Sequence, residues 1–94
     1  MDAFIELPHP GEHLADFIIE FGLNDRKLAA STGLTPTQVG QIRRGTRAIT
    51  VATALRLGKF FGNSAEFWIG LQTQYDLAIA KSKIDLGKIQ PIAG

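Results

Sequence analysis

The stretch DRKLAASTGLTPTQVGQIRR, Asp25–Arg44, reads as two short helices crossing over a tight turn. Asn24 offers an N-cap for the first helix, and Gly33 stops it by tolerating a positive φ. Thr35 as N-cap, Pro36 at the first helical position and Gln38 two further on form a capping box that opens the second helix, which Gly45 ends. Close crossing needs a small residue where the helices touch, and Ala29 supplies it. Leu28, Leu34, Val39 and Ile42 complete a miniature core.

Working outward, an amphipathic helix runs from about Gly11 to Phe21. Leu14, Phe17, Ile18 and Phe21 follow i, i+3, i+4, i+7, while Glu12, Asp16 and Glu20 line another face. Pro10 suits its start and Gly22 its end. A further helix opens at Thr50, buries Ala54, Leu57, Gly58 and Phe61, and stops at Gly62. The last opens at Asn63 or Ser64 and runs to about Lys81, with Phe67, Trp68, Leu71, Tyr75, Ala78 and Ile79 on one broad face. Residues 82–94 read as an extended tail, since Pro91 argues against helix. No linker, repeat or low-complexity run interrupts the chain. The expectation is therefore an all-α fold of five helices in one domain, 1–94. Its two-helix unit spans about 24–45 within a region 11–62, followed by the helix about 64–81.

Composition is ordinary for a globular chain, with 45% apolar and 20% charged residues. No run approaches the roughly 18 apolar residues of a membrane span. The acidic start MDAFIELPHP lacks the basic region of a secretory signal, and Cys is absent; both fit a cytoplasmic protein. The net charge of +1 conceals a division. Residues 1–23 carry five acids (Asp2, Glu6, Glu12, Asp16, Glu20) and no Lys or Arg. Residues 24–59 carry Arg26, Lys27, Arg43, Arg44, Arg47, Arg56 and Lys59 against Asp25 alone. A basic middle of this kind is the footprint of a phosphate-binding surface.

Ala29, Gly33 and Val39 have the spacing of the helix-turn-helix signature. The match continues through Gly45, Thr46-Arg47, Ile49-Thr50 and Ala54-Leu55-Arg56-Leu57, and the region resembles the lambda-repressor-like (Xre/Cro) family. Thr32 is the departure, where that family usually has an apolar residue. The helix opening at Thr35 shows Thr37, Gln38, Gln41 and Arg44 on its outer face. Thr37, Gln38 and Gln41 are the candidate base readers: Gln41 can pair bidentately with adenine, and Thr37 can meet a base edge or a thymine methyl. Arg26, Lys27, Thr35, Arg43, Arg44 and Arg47 are the candidate phosphate contacts. Gly40 admits two explanations, close DNA approach or helix packing.

A narrower resemblance lies outside this unit. His9-Pro10-Gly11-Glu12, the stretch RAITVATALRLGKFFGNSAEFWIGLQTQYDLA, and within it Phe67-Trp68, Leu71-Gln72 and Tyr75-Asp76-Leu77 resemble the HigA-type antitoxins of HigB–HigA toxin–antitoxin modules. The resemblance covers about residues 8–80. It implies a homodimer that neutralises a RelE/HigB-like mRNA-cleaving toxin and represses its own operon at a palindromic operator. The alternatives are a free-standing Xre-family regulator without a toxin, and a protein-interaction module without DNA binding. Useful specificity from so small a unit calls for two copies on a palindrome. Ile69 and Leu77 fall off the apolar stripe of the last helix and, with Trp68 and Tyr75, are the candidate dimer interface. A toxin that binds RNA needs a basic surface, so the acidic face of Glu12, Asp16 and Glu20 is the candidate toxin site.

Other patterns carry less. His9, Glu12 and His13 spell the inverted zinc-protease motif, but Pro10-Gly11 stands between the histidines, and the chain has no third His and no Cys. Gly40–Thr46 lacks the Lys of a phosphate loop and a preceding strand. No Ser-His-Asp or Cys-His set is supported. The expectation is a non-enzymatic protein without metal or cofactor.

Overall fold

The computed structural model describes residues 7–93, in which α1 (Pro10–Glu20), α2 (Asp25–Thr32), α3 (Pro36–Arg43), α4 (Val51–Phe61) and α5 (Ala65–Lys83) follow in order. No strand occurs among the described residues, as the all-α expectation requires. Each helix starts on a side chain that accepts an otherwise orphaned backbone N–H. Asn24 Oδ1 accepts from Lys27 N at 2.8 Å, Thr50 Oγ1 from Thr53 N at 3.2 Å and Ser64 Oγ from Phe67 N at 3.1 Å. The cap of α1 is less ordinary: His9 Nδ1 accepts from Gly11 N at 2.8 Å, a bond that only the neutral imidazole can make.

The core joins Leu14 and Ile18 of α1, Leu28 and Ala29 of α2, Val39 and Ile42 of α3, Ile49 of the α3–α4 loop, Ala54 and Leu57 of α4, and Trp68 of α5. Around Trp68 an aromatic group assembles, with Phe17 at 5.3 Å and Phe61 at 5.9 Å between ring centroids. The indole Nε1 donates to Asn63 Oδ1 at 2.9 Å, so its one polar atom is satisfied. A burial of this size is worth about 3–5 kcal/mol on truncation to Ala. At Gly11 a Cβ would collide with the carbonyl oxygen of Ile42, so this glycine lets α1 run end-on into the last turn of α3. Thr32, the departure from the family pattern, is accommodated locally. Its hydroxyl donates back to Leu28 O at 2.8 Å, so a buried polar group remains paired.

The last helix corrects the stripe read from sequence. Its buried residues are Trp68 and Gln72, and Phe67 is 40% exposed rather than central to the contact. Gln72 is buried because its Oε1 accepts from the Ile49 amide at 2.8 Å, while its Nε2 donates to Asp76 Oδ1 at 2.9 Å. The helix also continues through Ser82 and Lys83, where the sequence predicts tail; Ser82 Oγ donates to Ile79 O at 2.7 Å. Beyond it, residues 84–93 are exposed, with turns and no helix.

Candidate nucleic-acid interface

The α2–α3 unit is built as its sequence dictates. Gly33 takes φ 81° at the end of α2, a conformation that side chains with a Cβ rarely adopt. Two residues later Thr35 Oγ1 accepts from Gln38 N at 3.0 Å and Gln38 Oε1 accepts from Thr35 N at 2.9 Å, the full capping box. Val39 and Ile42 face inward, which turns Thr37, Gln41 and Arg44 away from the core. The end of α2 has an additional tie, Arg56 Nη1 donating to the Thr32 carbonyl at 2.7 Å.

The residues assigned to DNA from sequence come together here, with different freedoms. Arg26, Thr37, Arg43 and Arg44 line one cleft of about 680 Å³ between α2, α3 and the end of α1. Thr37 and Arg44 are exposed, as are Arg26 and Lys27 at the first turn of α2. Gln38 is half-buried, and its carbonyl oxygen is spent on the capping box. Gln41 Oε1 accepts from Arg47 Nε at 2.7 Å, so the loop after α3 is tied to the outer face of that helix. That oxygen keeps a second lone pair and Nε2 keeps two hydrogens. Thr46 Oγ1 donates to Gln41 O at 3.1 Å, which tightens the same corner.

Asp25 is the residue that the sequence reading did not place in the site. Arg43 Nε donates to Asp25 Oδ1 at 3.0 Å and Nη2 to Oδ2 at 2.7 Å, the two-pronged geometry of a guanidinium on a carboxylate. Arg43 holds the Asp25 carboxyl below its ordinary range, chiefly through this hydrogen bond. Both side chains remain about a third exposed, and such a pair is worth about 0–1 kcal/mol. Arg43 is thus bound within the protein, unlike Arg44. The cluster also reaches Gly40: a Cβ there would lie 3.0 Å from Arg44 Nη1 and 3.3 Å from Asp25 Oδ2. Gly40 makes room for this charge cluster between α2 and α3. The signal in the sequence was the single acid in an otherwise basic stretch.

Elsewhere the assigned residues separate. Glu12, Asp16 and Glu20 are all exposed along α1, while Asp2 and Glu6 lie outside the described residues. Trp68, assigned to a dimer interface, is fully buried in the core and has no surface left for a second copy. Ile69 is half-buried against the same core, because the burial of Trp68 and Gln72 turns that side of α5 inward. Tyr75 packs edge-on against the His9 ring at 4.9 Å. Leu77 remains, 52% exposed. The motif His9–His13 is accounted for by the start of α1, where His9 is the N-cap.

Two short helices joined at a left-handed glycine, with a polar outer face flanked by arginines, define a helix-turn-helix DNA-binding protein. Residues 14–68 match the helix-turn-helix family HTH_3, and the chain belongs to that family. Virulence-associated protein I of Dichelobacter nodosus is 40% identical over 79 residues, 81% of this chain and 73% of that protein. Among solved structures, the Pseudomonas aeruginosa antitoxin HigA with the higBA promoter is 35% identical at a TM-score of 0.84, covering 93% of this chain and 99% of that one. An addiction module antidote protein of the HigA family from Coxiella burnetii is 37% identical at a TM-score of 0.82, covering 90% and 97%. The five-helix arrangement is that of HigA-type antitoxin structures.

Proposed function

We propose that this protein is a homodimeric antitoxin that represses its own operon through α3 and neutralises a HigB-like, mRNA-cleaving toxin through the acidic flank of α1. The observation that carries the DNA half is convergence. Thr37 lines a cleft with Arg26 and Arg44, and Gln41 is bonded to Arg47, so candidate base-reading groups sit beside candidate phosphate-binding ones. Gln41 offers both an acceptor and a donor to adenine, and Thr37 a hydroxyl and a methyl. The structure of the similar Pseudomonas aeruginosa HigA with the higBA promoter supports the same use of this fold. One copy contacts few base pairs, so two copies on a palindrome with half-sites about one helical turn apart give useful specificity. Exposed Leu77 on α5 is the apolar contact offered to the second copy. The toxin half rests on charge: an RNA-binding partner presents a basic surface, which complements Glu12, Asp16 and Glu20 and leaves α3 free for DNA.

The test is a binding titration on the DNA upstream of the protein's own coding sequence. Gln41→Ala should cost about 1–3 kcal/mol there and relax preference at one base position. Arg44→Ala should weaken all sequences evenly and flatten the salt dependence by about one unit of slope. A Gln41→Ala variant with an unchanged ratio of operator to random binding would remove α3 from its reading role.

A further inference from the structure

Three arginines line the α2–α3 cleft, and a carboxylate stands among them. Asp25 opens α2 on the side of the molecule where Arg26, Thr37 and Arg44 are exposed, and it takes both prongs of the Arg43 guanidinium. That fork fits a carboxylate and a phosphate equally well, because both present two oxygens at a matching spacing. A partly exposed ion pair adds little to stability, so its position is of more consequence than its strength. Gly40 packs beside it: a Cβ there would stand tight against Arg44 Nη1 at 3.0 Å and Asp25 Oδ2 at 3.3 Å.

We propose that Asp25 is a built-in rival of DNA phosphate, occupying Arg43 so that non-sequence-specific binding is held down and the operator is favoured. The proposal rests on the DNA-binding reading above and assigns the source of its selectivity. Binding to random DNA comes almost entirely from phosphate contacts, so each arginine withheld lowers it directly. On the operator, base contacts fix the register, and an arginine gains only where a phosphate already stands within its reach. Asp25 therefore taxes random binding more than operator binding. It is a positioning residue: it acts through Arg43 and reads no base.

The experiment compares wild type with Asp25→Asn on the upstream duplex and on a random duplex of equal length, from 0.05 to 0.5 M salt. Asparagine keeps the shape and removes the charge. One freed phosphate contact should steepen the salt slope on random DNA by about 0.9, equivalent to about eightfold tighter binding at 0.1 M relative to a 1 M reference. The upstream duplex should gain less, so the ratio of the two affinities falls. Asp25→Glu, which restores the carboxylate, should return the wild-type slope, and Asp25→Asn with Arg43→Gln should return it too. Asp25→Ser carries the same expectation, in case asparagine weakens the first turn of α2. Unchanged or weaker random binding, or equal gains on both duplexes, would overturn the proposal. A wild-type protein that bound neither duplex would overturn the DNA-binding reading and this proposal together; a normal wild type with a silent Asp25→Asn would overturn this one alone.

Discussion

Gln72→Leu isolates one bond that positions the loop between α3 and α4. The Ile49 amide is buried with its residue at 2% exposure and donates to Gln72 Oε1 at 2.8 Å. Leucine nearly preserves the volume, so no large cavity opens and the loss is that of the acceptor. An orphaned buried N–H costs about 1–3 kcal/mol. Around the middle of that range, about 2 kcal/mol, a domain of this size should lose about 8–16 °C in Tm. The partner lost on the other side, Asp76, is exposed and turns to water. Thermal and urea melts would measure the loss, and hydrogen exchange would locate it as faster opening at the Ile49 amide. Operator affinity well below the melt should fall only slightly, since Gln41 still holds Arg47. A Tm within about 2 °C of wild type, with the Ile49 amide still protected, would refute the reasoning.

Reversal of the acidic face by Glu12→Lys, Asp16→Lys and Glu20→Lys together should slow association with the toxin at low salt and leave operator binding unchanged or stronger; the difference should shrink as salt is added, and an unchanged on-rate would refute the charge argument. Leu77→Asp lies at a 52% exposed position, so it should leave folding within about 0.5 kcal/mol and shift sedimentation toward monomer, with poorer operator binding; a dimer that persists would place the interface elsewhere. His9 must be neutral to cap α1, and burial holds its pKa below 6.5 against the opposing pull of Asp76 and Glu12. Its contribution to stability is therefore complete above pH 6.5 and is lost as pH falls through the lowered folded-state value, because the unfolded chain takes up the proton first. His9→Asn keeps a capping acceptor that does not titrate, so urea midpoints from pH 7.5 to 5 should fall less in the variant than in wild type.

The α2–α3 unit was legible almost to the residue because its ends are written in local chemistry. Asn24, Gly33 and the Thr35–Gln38 box act within a few residues of themselves, and no distant contact can redirect them. The face of α5 was not legible by the same means. An apolar stripe treats every polar residue as solvent-facing, whereas Gln72 is drawn inward by an amide 23 positions away. Once Gln72 and Trp68 define the inner face, Phe67 moves toward solvent and Ile69 toward the core. The site divides likewise. Thr37 and Gln41 follow from the position of Val39 and Ile42 on one short helix. Arg43 and Arg44 are neighbours with identical chemistry, and only the approach of Asp25 across 18 positions separates the bound arginine from the exposed one.

That separation changes how many charges the basic middle can give to DNA. The sequence offers Arg26, Lys27, Arg43, Arg44 and Arg47 to phosphates. Arg47 spends its Nε on Gln41 but keeps its outer nitrogens, whereas Arg43 spends two donors on a carboxylate that cancels its charge. Arg56 is directed to the Thr32 carbonyl, away from the reading face. Four cations per copy then remain: Arg26, Lys27, Arg44 and Arg47. Each phosphate contact contributes about 0.9 to the salt slope, so a dimer on its operator should show a slope of about −7. If Arg43 leaves Asp25 when DNA arrives, both copies gain one contact and the slope approaches about −9. Operator affinities measured across a fourfold range of salt decide between them, since the two slopes differ by about twelvefold in the total change over that range. A slope near −9 in wild type would mean that the Asp25–Arg43 pair opens on the operator, and the restraint by the carboxylate would then fall on random DNA alone.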